Sequence, residues 1–140
     1  MISNQLLFTG LATLFLLFTT AASWSITFYE TMDDCMCTKG PCRKTYLSYQ
    51  GSGDPSECIT TGVGTDNANC AYTTDGGVTF GACDHYMHMG AFAIGADTQC
   101  EWGHYCTGAG SATQYGEGNC FDASDYEAEK LFFKCGSTQL

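Results

Sequence analysis

Short stretches of β-branched and aromatic residues recur along the chain, and clusters of glycine, aspartate and serine separate them. Stretches of this length and spacing are typical of β-strands. The 17 glycines supply turns, and the strongest turn signals lie at Gly51–Pro55 and Thr74–Gly77. The pattern predicts an all-β fold, either a small sandwich or a partly open barrel. The predicted strands are Trp24–Tyr29, Thr45–Tyr49, Val78–Phe80, Gly90–Ile94, Ala112–Tyr115 and Lys130–Lys134.

One short helix is the exception that the sequence allows. Ser124 has the residue type of an N-cap, and Glu127 stands three positions later, which is the capping-box spacing. This predicts a helix over Ser124–Lys130. The apolar run Leu131–Phe133 that follows is equally suited to a closing strand, so the fold class is all-β or β-rich with one short helix.

The N-terminus predicts a secreted protein. The run from Leu6 to Thr20 is apolar and uncharged, and the small residues Ala21, Ala22 and Ser23 follow it. This is the pattern of a secretory signal peptide, and the run is shorter than the roughly 20 residues that span a bilayer. We therefore expect a signal peptide at 1–23, a single domain at 24–140, an extracellular location and no membrane anchor.

All ten cysteines lie after the predicted signal peptide. An even number of cysteines in a secreted chain indicates a disulfide framework, which compensates for the modest core of a small domain. Spacing alone leaves the pairing open. The predicted disulfide residues are Cys35, Cys37, Cys42, Cys58, Cys70, Cys83, Cys100, Cys106, Cys120 and Cys135.

A faint internal repeat divides the domain into possible halves at 24–83 and 84–140. In each half an acidic turn leads to a small cysteine-bounded loop, Cys37–Cys42 in the first and Cys100–Cys106 in the second. Cys83 and one of Cys35 and Cys37 lie outside the repeat. The repeat predicts two Greek-key-like halves, and the cysteines outside it are candidates to link them.

These features together resemble fungal small secreted cysteine-rich proteins of the effector-candidate type. The resemblance is carried by the signal peptide and by Phe28-Tyr29, Asp33-Asp34-Cys35, Tyr49-Gln-Gly51, Cys58-Ile59 and Phe132-Phe-Lys-Cys135. Ser25–Glu30 is also similar to the first strand of βγ-crystallin Greek keys, a fold shared by some secreted microbial killer toxins. The resemblance implies an effector-like protein that is directed at a host or a competitor.

Metal binding and other cofactors are not expected. Asp33–Thr38 approaches the crystallin-type calcium signature, but Cys37 stands where a hydroxyl ligand is needed. His85 and His88, with His104 as a third nitrogen, could hold zinc only if the pair shared one face. On a strand, residues three apart point to opposite faces.

Charge excludes one class of partner. The net charge is −10, with 15 acidic residues against five basic ones. A chain this acidic, without a basic stripe, is not expected to bind nucleic acid. The one basic cluster, formed by Lys39, Arg43 and Lys44, either contacts an anionic partner or is a solvated loop.

Catalysis is not expected either. The sequence has no Gly-x-Ser-x-Gly elbow, no His-Glu-x-x-His motif and no phosphate-binding loop. Asp33, Asp34, Asp84 and Glu101 could supply the acid and base of a small glycosidase. In a chain with fifteen acids, however, some neighbouring pair of carboxylates is almost inevitable.

The segment Cys100–Cys106 concentrates the candidate binding residues Trp102, His104 and Tyr105. If they are exposed, the rings of Trp102 and Tyr105 would form a rigid platform for a sugar or a protein. If it is buried, Trp102 would close one end of the core. We expect a monomeric, secreted effector-like binding protein whose partner is a host protein or a cell-wall polysaccharide. The alternatives are a lectin-like wall-binding module, a killer-toxin-like antimicrobial protein and a small glycosidase.

Overall fold

The computed structural model describes residues 23–37, 45–52, 56–63, 68–84, 87–106, 119–124 and 130–138, together with the backbone of 111–115. The described residues form nine strands and one helix. In chain order these are β1 (Ser23–Tyr29), α1 (Met32–Met36), β2 (Tyr46–Ser52), β3 (Ile59–Thr60), β4 (Asn69–Thr73), β5 (Ala91–Ile94), β6 (Thr98–Gly103), β7 (Ser111–Tyr115), β8 (Cys120–Asp122) and β9 (Phe132–Ser137).

The strands form two antiparallel sheets that are not closed into a barrel. The first sheet has the order β4-β2-β1-β5-β8, and the second has the order β3-β9-β6-β7. The prediction of a sandwich-like all-β fold with one short helix is confirmed. The helix is α1, capped by the hydroxyl of Thr31, which accepts a hydrogen bond from the Asp34 N–H at 3.1 Å.

The two sheets exchange strands in a Greek-key-like way. In the first sheet β1 pairs with β2 and β5, and the next strand in the chain after β2, β3, belongs to the second sheet. In the second sheet β6 pairs with β7 and β9, and β8, which lies between them in the chain, belongs to the first sheet. β4 extends the first sheet beyond this pattern.

Alternation along the strands builds the core between the sheets. In β1 the side chains of Trp24, Ile26 and Phe28 are buried at 0–2 % exposure, and Ser25 and Thr27 on the other face are only partly buried. Phe133 from the second sheet lies 4.8 Å from Tyr49 of the first, ring centroid to ring centroid. Aromatic rings therefore fill much of the core volume that leucine and isoleucine side chains occupy in other cores.

Four disulfides between described residues hold the sandwich together. Two of them, Cys35–Cys120 and Cys58–Cys106, join distant parts of the chain, with sequence separations of 85 and 48. The other two are Cys70–Cys83 and Cys100–Cys135. The predicted disulfide framework is thus present, and Cys37 is also disulfide-bonded. Cys42 lies outside the described residues.

Two expectations about the cysteines need correction. Cys83 does not link the halves, because it pairs with Cys70 beside it in the first half. Cys100 and Cys106 do not bound a loop between them, because each pairs elsewhere. Cys100 lies opposite Cys135 in the β6–β9 ladder, so strand register decides its partner.

The predicted strand Val78–Phe80 is absent, since Val78 and Thr79 lie in the bend that begins at Thr74 and Phe80 has no regular secondary structure. Gly76 and Gly77 have φ of 76° and 91° there, a backbone conformation that reverses the chain. The predicted helix Ser124–Lys130 lies mostly outside the described residues, as does the predicted signal peptide up to residue 22. Within the described part of the chain, no helix has the length and apolar character needed to cross a membrane.

Candidate binding groove

The segment that concentrated the predicted binding residues is divided between core and surface. Trp102 belongs to β6, is 5 % exposed and lies 4.4 Å from the ring of Phe92. Of the two alternatives for Trp102, the structure shows the buried one, because strand alternation turns Cys100 and Trp102 inward. His104 and Tyr105 follow the strand and are exposed, and Tyr105 retains 65 % of its accessible surface.

Of the other candidate binding and zinc-ligand residues, only His88 lies in the described part of the chain. Lys39, Arg43, Lys44 and His85 lie outside the described residues. His88 is exposed, and no group of three potential metal ligands occurs among the residues that the structure describes. The structure thus brings none of these side chains together with Tyr105 in one described site.

The carboxylates considered for a glycosidase lie on different faces. Asp33 and Asp34 belong to α1, which packs over the outer face of the first sheet. Glu101 lies on the outer face of the second sheet, directly opposite Lys134. Its neighbours line a small polar cavity of about 140 Å³ formed by Gln99, Glu101, Lys134, Gly136 and Ser137. Asp84 is exposed after Cys83.

A row of aromatic rings crosses the outer face of the first sheet. The ring centroids of Tyr29 and Tyr46 are 6.0 Å apart, and those of Tyr46 and Phe80 are 6.4 Å apart. Tyr29 is buried beneath α1, whereas Phe80 is 58 % exposed. The row thus begins under the helix and ends in solvent.

Beside the exposed end of this row runs a groove along β2 and β4, here called the β2–β4 groove. It consists of two cavities of about 270 and 360 Å³ that share Gln50 and Asn69. The first cavity is lined by side chains that include Tyr46, Ser48, Gln50, Asn69, Ala71 and Phe80. The second lies at the start of β1 and the end of β2, and it is lined by residues that include Ser23, Ser25, Gly51 and Ser52.

Strand register explains why these side chains share one surface. Leu47 and Tyr49 of β2 point into the core, so Tyr46, Ser48 and Gln50 point outward. In the β2–β4 ladder, Asn69 lies opposite Gln50 and Ala71 lies opposite Ser48. The two amides therefore meet across the ladder, and the small side chain of Ala71 leaves room beside them.

No family model, curated protein or solved structure matches the chain. The function is accordingly inferred from the chemistry of the surface. Three kinds of group meet in the groove: amides, hydroxyls and the exposed ring of Phe80. Such a surface can donate and accept hydrogen bonds while it stacks on an apolar face of a ligand.

The turn before Phe80 is held by Asp75. The Asp75 carboxylate accepts hydrogen bonds from the Thr79 hydroxyl at 2.6 Å, the Thr73 hydroxyl at 2.8 Å and the Val78 and Thr79 N–H groups at 3.0 Å. These bonds, led by the Thr79 hydroxyl, hold the pKa of Asp75 well below its usual range. The turn is therefore tied together by one charged acceptor.

Two further contacts fix the turn against the sheet. Gly77 packs on Tyr46, because a Cβ at Gly77 would lie 2.6 Å from the Tyr46 hydroxyl oxygen. After the turn, Gly81 and Tyr72 exchange backbone hydrogen bonds, and Cys83 is bonded to Cys70 of β4. Phe80 is thus exposed on a segment that is anchored on both sides.

Sequence reasoning did not identify the β2–β4 groove. The residue pattern predicts a strand at Phe80, and the segment between Gln50 and Asn69 contains no recognisable motif. One signal was present: the alternation Tyr46-x-Ser48-x-Gln50 places polar and aromatic side chains on the outer face of a strand. The residue pattern does not predict the partner strand β4, so the sequence alone does not indicate a groove along β2 and β4.

Proposed function

We propose that the protein is a secreted, effector-like binding protein that acts outside the cell on a host or competitor target, by binding and not by catalysis. The disulfide framework supports the extracellular part of this proposal, because such frameworks persist in oxidising compartments. The observation that carries the binding part is the β2–β4 groove, with the exposed ring of Phe80 at one end.

The way Phe80 is held supports a role in recognition. An exposed phenylalanine contributes little to the core, since 58 % of its surface remains accessible. A ring fixed before binding loses less conformational entropy when a partner covers it. The Asp75 turn and the Cys70–Cys83 bond supply this fixation. Rigid aromatic side chains are typical anchors of binding surfaces.

Retention of the secreted protein on target surfaces tests the proposal. The protein, purified with its disulfides intact and fluorescently labelled, is incubated with whole cells and isolated cell walls of plant, fungal and bacterial origin. Saturable retention on at least one surface, without release of sugar or loss of viability, is the expected result. Sugar release would indicate the glycosidase alternative, and growth inhibition or leakage would indicate the toxin alternative.

Two exposed rings make a matched pair of variants for the same assay. Phe80→Ala removes the ring from the groove, and Tyr105→Ala removes a ring of similar exposure from the Cys100–Cys106 segment. Loss of retention only in Phe80→Ala assigns the binding surface to the groove. Loss only in Tyr105→Ala assigns it to the segment predicted from the sequence, and absence of retention in the unmodified protein contradicts the proposed function.

A further inference from the structure

We propose that the β2–β4 groove is a binding site for a single strand of a neutral polysaccharide, in which a sugar ring stacks on Phe80 and the sugar hydroxyls bond to Gln50, Asn69 and Ser48. This inference rests on the proposed function, because it names the ligand class of the same surface. The cavities themselves, their lining and the exposed ring of Phe80 are its basis.

The absence of charge in the lining points to a neutral ligand. The chain carries 15 acidic and five basic residues, yet no described side chain that lines either cavity is charged. Among the described lining residues, a cationic ligand would find no carboxylate, and an acidic polysaccharide would find no cation to offset the net charge of −10. Removal of the predicted signal peptide 1–23 would also remove Ser23 and place the new α-amino group on Trp24 at this end of the second cavity, so the neutral lining applies chiefly to the end with Phe80.

The hydrogen-bonding groups match a polyhydroxylated chain. Gln50 and Asn69 each offer an amide oxygen that accepts and an amide nitrogen that donates. The Ser48 hydroxyl shares a hydrogen bond with the Thr27 hydroxyl at 3.1 Å and keeps a lone pair that can accept another. A sugar hydroxyl donates and accepts, so the two amides can pair with it in either sense and Ser48 can accept from it. The flat ring of Phe80 offers a face on which the C–H face of a sugar can lie.

The shape fits an extended strand better than a compact ligand. The two cavities share Gln50 and Asn69 in their linings and together follow β2 from Tyr46 to Ser52. A seven-residue strand extends about 20 Å at roughly 3.3 Å per residue. A groove of this length can contact several successive sugars, and its interaction energy would grow with oligosaccharide length.

Titration with soluble hexasaccharides tests the proposal. Hexamers of β-1,4-glucose, β-1,3-glucose, β-1,4-xylose and β-1,4-N-acetylglucosamine are added to the ¹⁵N-labelled secreted protein, and hexagalacturonic acid serves as the charged counterpart. We expect at least one neutral hexamer to shift the amide resonances of β2, β4 and Phe80. We expect its dimer to bind at least tenfold more weakly and hexagalacturonic acid to leave these resonances unchanged.

Variants on both outer faces assign the site. Phe80→Ala and Gln50→Ala are expected to raise Kd by about tenfold each, the equivalent of one lost stacking or hydrogen-bonding contact. Phe80→Tyr keeps the ring and should bind within about twofold of the unmodified protein. Gln99→Ala removes the matched amide from the second sheet, and it should also leave Kd within about twofold.

Three results would overturn the inference: no neutral hexamer shifts the groove resonances, the acidic hexamer binds as tightly as the neutral ones, or Gln99→Ala weakens binding as much as Gln50→Ala. Its failure is distinguishable from failure of the proposed function. If the protein is retained on cells through Phe80 but binds no hexamer, the target is another class of molecule, such as a protein. If hexamers bind in the groove but no cell or wall retains the protein, the proposed function fails and the glycan site stands.

Discussion

Tyr49 provides a test of the core in which the magnitude can be worked out from its surroundings. The side chain is fully buried, and its hydroxyl accepts a hydrogen bond from the Gly62 N–H at 3.2 Å. Burial raises the pKa of Tyr49 from about 10 to about 12, against a smaller lowering by the Gly62 bond. Burial has this effect because it disfavours the charged phenolate.

The raised pKa makes stability depend on alkaline pH in a defined direction. Below pH 10 the phenol is neutral in both folded and unfolded chains, so ionisation of Tyr49 does not reduce the free energy of unfolding. Between pH 10 and 12 the unfolded chain ionises while the folded chain does not, and stability is lost as pH rises through the folded pKa of about 12. A difference of about two pKa units corresponds to about 3 kcal/mol.

The substitution Tyr49→Phe removes this dependence and also removes the Gly62 hydrogen bond. At pH 8 we expect the variant to be less stable by about 1 kcal/mol, the usual net contribution of one hydrogen bond. At pH 12 the folded phenol is half ionised, so the ionisation cost has reached about 2 kcal/mol, and we expect the variant to be more stable by about 1 kcal/mol. The two stability curves should cross near pH 11.

Urea unfolding at intervals from pH 8 to 12 measures both curves. Disulfides are kept intact by brief exposure to alkali, and the fluorescence of the buried Trp24 and Trp102 reports unfolding. Tyr105→Phe is the control, since it removes a phenol that folding leaves exposed, and it should follow the unmodified protein. Parallel curves for Tyr49→Phe and the unmodified protein over this range would refute the reasoning.

Three further outcomes follow from single contacts. Gly51→Ala should destabilise the fold by about 1–3 kcal/mol in urea unfolding, because its Cβ would collide with the indole of Trp24; an unchanged midpoint would contradict that packing. Trp102→Ala should cost about 3–5 kcal/mol, as for other large core residues, and a stable variant would place the ring at the surface. Asp75→Asn should speed hydrogen exchange at the Thr79 amide. Folding lowers the pKa of Asp75, so in the unmodified protein exchange at the Thr79 amide should lose its protection only as pH falls below about 4. Equal protection of this amide in both proteins at neutral pH would contradict the turn's dependence on the carboxylate.

Local sequence was sufficient for several strands. The alternation of Trp24, Ile26 and Phe28 identifies both the strand and its buried face, because side chains on a strand point alternately to the two sides of a sheet. The residue pattern does not predict β6, since Thr98–Gly103 contains one β-branched residue and the cysteine spacing favours a loop from Cys100 to Cys106. Its neighbours β7 and β9 hold it in the sheet, and such tertiary pairing overrides weak local preference.

The sequence by itself determined the class of fold and the reliance on disulfides, since both follow from local alternation, turn residues and cysteine content. Only the tertiary structure decided which cysteines pair and which rings are exposed. Cys100 lies beside Cys135, and Gln50 lies beside Asn69, because strand register brings together residues that are distant in the chain. The same register turns Trp102 into the core, while the Asp75 turn leaves Phe80 in solvent. Register depends on long-range pairing and on the burial of one face of each sheet, and no short stretch of sequence contains that information.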